Sequence, residues 1–141
     1  MPTPTTSSDV FAQRLLTGAG VAALVGTRVY PSKPAQDVAE DYVVYFRTGG
    51  GDAKTLGGRS GLQPSDIRVE CYASTQAAAE AILKAVTTRL CGDRAAGVPG
   101  WRDRANGVHG CFAQGDSDEQ VLDDGGQVSG QTFSLWFKPQ A

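Results

Sequence analysis

Histidine is almost missing from this chain: His109 is the only one among 141 residues. Any Ser–His or Cys–His nucleophilic pair must therefore use that one ring, and no G-x-S-x-G elbow is there to present a serine. Cysteine is scarce and unpaired, with Cys71, Cys91 and Cys111 forming an odd set. Neither CxxC nor HxxxH spacing occurs, so no metal centre is expected, and a reduced, cytoplasmic place of synthesis is the economical reading. Positive charge is not in excess either. The 13 Lys and Arg face 15 Asp and Glu for a net charge of −2, which disfavours a dedicated nucleic-acid binder. Long apolar runs are lacking too. The stretch "VAALV", Val21 to Val25, is far too short to cross a bilayer, and "MPTPTTSSDVFAQ" lacks the basic-then-apolar order of a secretory signal.

Glycine is what the chain has in plenty, with 18 residues at nearly twice the usual share. The densest cluster is "TGGGDAKTLGGRSG", Thr48 to Gly61. A phosphate-binding loop needs glycine directly before Lys-Ser/Thr and a helix directly after. Here Ala53 precedes Lys54, and Leu56, Gly57 and Gly58 follow Thr55, so no helix starts there. The flanks read as strands on both sides, which excludes the nucleotide reading. "DSDEQVLDD" has the carboxylate density for calcium. Gln120 and Val121 nevertheless stand where an EF loop needs its third Asp/Asn and its turn glycine. No catalytic, cofactor or metal constellation survives.

Hydrophobic periodicity supplies the organisation. Residues 1–8 read as a loose arm and 9–141 as a single domain, long enough to bury roughly 70% of its unfolded surface. Residues 9–25, with Phe11 and Leu15 four apart and Gly18 and Gly20 interrupting, read as one broken helix or two short ones. "YVVYFRT" from Tyr42 is β-branched and aromatic, hence a strand. In "DIRVECYA", Ile67, Val69, Cys71 and Ala73 alternate with Asp66, Arg68, Glu70 and Tyr72, the period of a strand with one buried face. Ser74 or Thr75 then caps a helix whose stripe is Ala78, Ala81, Ile82, Ala85, Val86 and Leu90, stopped by Gly92. Val108 to Gln114 and "QTFSLWFKP" supply two further strands. The loops are a Gly-rich one at 49–61, a polar one at 92–107 and an acidic one at 115–127. The expected fold is α+β, in the order α-β-β-α-β-β. It has an antiparallel sheet of about four or five strands with two main helices packed on one face.

Large aromatics on the other face of that sheet need cover, from the chain's own loops or from a partner. Tyr72 and Trp136 fall opposite the apolar sets, and one of Tyr45 or Phe46 must join them. Lys54 and Arg59 in the long glycine loop add polar contacts. Tyr45, Lys54, Arg59, Tyr72 and Trp136 are thus the expected interface residues. A rival from another class is a small soluble enzyme or ligand-binding domain using His109, with Cys111 two residues along the same strand.

Taken together, "LLTGAGVAALVGTRVYP", "YVVYFRTGGGDAKTLGGRSGLQPSDIRVECYASTQAAAEAILKAVTTRL" and "FSLWFKP" resemble the tail completion (tail terminator, tail-to-head joining) proteins of long-tailed bacteriophages. The resemblance spans most of residues 9–91 and the last strand. It implies a non-enzymatic virion protein, made in the host cytoplasm and placed at the tail–head junction. There it would form a homo-oligomeric, hexameric ring touching the tail tube protein and the head completion or connector protein. DNA would pass through the lumen without specific binding, and no membrane or cofactor would be involved. The same resemblance leaves open another small ring-forming neck or connector protein. The family has tryptophan where Tyr72 stands here.

Overall fold

A computed structural model describes residues 6–32, 40–50, 54–55, 58–59, 63–122 and 125–138. Thr6 opens the first helix, α1 (Ser7–Leu16), its Oγ1 accepting the Asp9 amide at 3.1 Å. The helix therefore begins inside the segment read as an arm, whose residues 1–5 lie outside the described ones. Val10, Phe11 and Leu15 are its buried stripe. α2 (Ala19–Val25) follows directly, so the glycine-interrupted segment resolves into two short helices.

The strands are β1 (Val29–Pro31), β2 (Tyr42–Gly50), β3 (Lys54–Thr55), β4 (Gly58–Arg59) and β5 (Gln63–Ala73). Beyond helix α3 (Gln76–Cys91) come β6 (Val108–Val121) and β7 (Gln127–Phe137). Five of them form one sheet in the order β1-β2-β5-β7-β6, while β3 and β4 make a separate two-residue ladder. The expected α+β class holds, with two departures. β1 runs parallel to β2, whereas the other pairs in the sheet are antiparallel. About ten residues separate Pro31 from Tyr42, enough chain to return to the same end, which a parallel pair requires and a hairpin does not. The second departure is that β6 continues through residues 115–121, read from composition as an acidic loop. A strand with water on its outer side tolerates any polar residue, so the acidic composition does not stop the ladder.

α3 is capped by Thr75, whose Oγ1 accepts the Ala78 amide at 3.2 Å. Its buried residues are Ala79, Ile82, Leu83, Val86 and Leu90, a face turned slightly from the expected stripe: Ala81 is exposed and Ala79 and Leu83 take its place. The core lies between the helices and one face of the sheet. Phe11, Leu15, Val21, Val25, Ile82, Val86 and Leu90 meet Val43, Tyr45, Ile67, Val69, Phe133, Leu135 and Phe137 there. Phe11 sits centrally, 6.0 Å from the Tyr45 ring and 6.4 Å from the Phe133 ring, centroid to centroid.

Two arginines latch the helices together. Arg14 Nε donates to the Arg89 carbonyl at 3.0 Å, and Arg89 Nε donates to the Arg14 carbonyl at 2.9 Å. Each guanidinium thus satisfies a carbonyl in the last turn of the other helix, where orphan acceptors and the negative dipole end coincide. Burial, followed by the neighbouring Arg89 charge, pulls the Arg14 pKa down from the ordinary arginine value. Its guanidinium carbon lies 5.4 Å from the Trp101 ring centroid, which seats this tryptophan, 5% exposed, as a lid on the core. The polar segment 92–107 is organised around that anchor, with a bridge between Asp93 and Val98 and a single 3₁₀ turn at Arg104–Asn106.

Candidate assembly surface

The face of the sheet turned away from the helices carries an aromatic and charged pattern. Direct register partners share a face, so Tyr42 opposite Tyr72, and Phe112 opposite Ser134, can be assigned from the ladders. At one end of this face the Tyr42 and Tyr72 rings stack with centroids 4.7 Å apart and planes at 9°. Tyr30, from β1, meets Tyr42 edge-on at 6.1 Å. Burial, then the nearby Glu70 carboxylate, pushes the Tyr72 phenol up, so it stays neutral. At the other end Trp136 stands opposite Gly110, and Phe112 leans over that glycine. Phe112 is 58% exposed, unusual for phenylalanine in a sheet.

Between the two aromatic ends lies a bidentate ion pair. Arg68 of β5 reaches across β7 to Asp118 of β6, with Nη1 at 2.9 Å and Nη2 at 2.7 Å from the two carboxylate oxygens. Gly130 lies between them on β7, paired with both Glu70 and Asp118. A β-carbon there would occupy the space of the Arg68 guanidinium, so the missing side chain leaves the gap the pair spans. The hydrogen bond from Arg68 holds the Asp118 carboxyl below its ordinary value and raises the Arg68 pKa. Gln114 Nε2 adds a 2.6 Å bond to Asp66 on the same face. Fixed in this way, the polar centre is a rigid charge pattern rather than a set of loose side chains.

β6 gives the surface its second property. It is the last strand of the sheet, it runs for 14 residues, and residues 112–121 are all exposed. Two irregularities bend it. One falls between Val108 and Gly110, the other between Gln114 and Asp118. At the second, Gly115 has φ +64°, and buried Gln131 donates Nε2 to the Gln114 carbonyl at 2.7 Å and to the Gly115 carbonyl at 3.2 Å. The bulge carbonyls turned out of the ladder are thus satisfied from below.

A family described as tail completion protein gp17 matches residues 10–121. The chain belongs to that family. Membership makes it a structural protein of the tail. A chain in the solved structure "Virion of native gene transfer agent (GTA) particle" superposes with a TM-score of 0.68 at 23% identity, covering 91% of each chain. At that identity the likeness establishes a shared fold. No curated protein matches the chain.

Of the interface residues expected from the sequence of this family member, Tyr72 and Trp136 lie on the outer face, partly buried. Tyr45 does not. It is 8% exposed and packs on Phe11 in the core, so of the two neighbours it is Phe46 that turns outward. The register decides this, because Tyr45 pairs with Val69 and Phe46 with Arg68. Lys54 and Arg59 are register partners in the small β3–β4 ladder, and their side chains lie outside the described residues. So do 51–53, 56–57 and 60–61 of the glycine stretch, while Gly49 and Gly50 belong to β2. Phe112, Tyr42 and Tyr30 also lie on or beside this face, beyond the residues that the sequence indicates. Alternation along "VHGCFAQ" places Phe112 opposite Cys111, and that is the signal for it. The irregularity between Val108 and Gly110 leaves His109 without a register partner, so counting by twos no longer relates its face to that of Cys111.

Proposed function

We propose that this protein assembles as a ring, hexameric by family resemblance, on the head-proximal end of the tail tube. There it ends tube polymerisation and joins the tail to the head connector. The observation that carries the reading is the outer sheet face together with its long edge, β6, where Phe112 is 58% and Val121 67% exposed. The two bulges and the acidic residues of β6 guard this edge against indiscriminate pairing, while Phe112 and Val121 leave apolar area for a specific partner to cover. A ring of identical subunits does this by heterologous contact, each edge and aromatic face meeting a different surface of the next copy. The related fold in the gene transfer agent particle comes from an assembled virion, which supports the same use here. A net charge of −2 suits a lumen through which DNA slides without being held.

The test is electron microscopy of particles made with and without the gene, together with the purified protein mixed with tail tubes. The expected results are unjoined heads and overlong tails without it, and ring-capped tubes with it. Normal-length tails joined to heads in its absence would sink the proposal.

A further inference from the structure

A cleft runs between α3 and the acidic half of β6, on the helix side of the sheet and away from the assembly face. Ser129 of β7 pairs with Cys71 on one side and Glu119 on the other, and Cys71 is in the core. Register therefore puts Glu119 and Ser129 side by side on the helix face. Glu80 and Lys84 of α3 form one wall of the cleft, Ser117 and Glu119 the other, and Ser129 and Gln131 the floor. Its volume is about 470 Å³, the size of a small-ligand site.

Two features of the cleft are unfinished. Glu80 and Glu119 converge on one neutral donor: Gln76 Nε2 lies 3.2 Å from Glu80 Oε1 and 2.5 Å from Glu119 Oε2. Among the described residues neither carboxylate has a salt-bridge partner, and Lys84, one turn further along α3, makes no salt bridge either. Asp93 adds negative charge at one end, where it already accepts the Ala95 and Ala96 amides. The second feature is Ser129, which is 1% exposed. Its Oγ is the one buried side-chain polar atom without a hydrogen-bond partner among the described residues. A buried hydroxyl left unpaired costs stability, so its place on the floor of a cleft calls for a donor or acceptor from outside.

We propose that this cleft is a guanidinium site, taking an arginine side chain between Glu80, Glu119 and Ser129. The open positions there are acceptors: two carboxylates and a hydroxyl. A guanidinium offers five donors in a planar fork and is more weakly hydrated than an ammonium, so it spans several acceptors and enters a half-covered cleft more readily. A metal ion fits less well, since among the described residues no three His, Cys, Asp or Glu converge on one point. In a ring the arginine would belong to the next copy, because the cleft opens beside the edge strand β6. Only this last step rests on the ring reading.

Amide NMR of the purified protein, titrated with N-acetyl-arginine amide, tests the site without tail tubes. Signals around Glu80, Glu119 and Ser129 should shift together and saturate with a dissociation constant of about 1 mM. N-acetyl-lysine amide should bind roughly threefold more weakly or worse. Glu80→Gln and Glu119→Gln should each weaken binding about tenfold. Ser129→Ala should weaken it roughly two- to tenfold, yet leave the melting temperature of the free protein unchanged or higher, because it deletes an unpaired hydroxyl. A lower melting temperature with unaltered binding would make Ser129 merely structural and overturn the proposal. So would shifts that are absent or do not saturate, or tighter binding of calcium chloride at the same signals. Sedimentation equilibrium separates the sources of the group. Self-association weakened by Glu80→Gln and by the capped arginine assigns it to a second copy. Self-association indifferent to both, with the capped arginine still bound, assigns it to a free ligand. Loss of the ring reading in the tube-capping assay would leave the NMR result standing.

Discussion

Replacing Phe112 by alanine separates the assembly surface from the fold. The ring is 58% exposed in the subunit. With about 200 Å² for a phenylalanine side chain, roughly 115 Å² is left for a partner to cover. At about 25 cal/mol per Å², that area contributes up to about 3 kcal/mol per contact, or roughly a hundredfold in affinity. The part already covered in the subunit contributes about 2 kcal/mol at most to folding, less than the 3–5 kcal/mol typical when a core phenylalanine is removed. Urea denaturation of the subunit should therefore show a modest loss. Capping of tail tubes, titrated with the same protein and counted by electron microscopy, should need far more protein. A folded Phe112→Ala protein that caps tubes at the wild-type concentration would refute the assignment of this face. A variant that fails to fold would refute the claim that the ring is mostly idle in the subunit.

Four further outcomes follow from the geometry. Arg89→Ala removes the donors to the Arg14 carbonyl and to Thr17 Oγ1 and should cost about 1–3 kcal/mol, read from the urea midpoint at unchanged slope. Arg89→Lys should recover little, because an ammonium lacks the planar fork. Gly107→Ala places a β-carbon against the Lys138 carbonyl at a residue with φ +86°, and should cost roughly 2–3 kcal/mol, lowering the melting temperature by about 5–10 °C. The depressed pKa of Asp118 gives a stabilisation that is full above the unfolded value, near pH 4, and is lost as pH falls through the folded one. The stability difference between wild type and Asp118→Asn should therefore be under about 1 kcal/mol at neutral pH, since Asp118 is mostly exposed, and vanish as pH falls below the depressed folded value. His109→Ala should leave tail joining unchanged; loss of joining by a folded variant would revive the enzymatic rival.

Local sequence determined the elements of this protein. Alternation in "DIRVECYA" and the helical stripe after Thr75 are short-range patterns, and each reports which face is buried without reference to the rest of the chain. The glycine stretch could likewise be denied a phosphate role from Ala53 and the missing helix alone. What tertiary structure decided was register and neighbourhood. Tyr45 and Phe46 are equally aromatic, and only pairing with Val69 and Arg68 turns the first inward and the second outward. The ion pair over Gly130 joins residues fifty apart in sequence across an intervening strand, and no periodicity reports such a gap. The bulges in β6 shift its faces part-way along, so counting by twos from Val108 reaches the wrong side by Cys111.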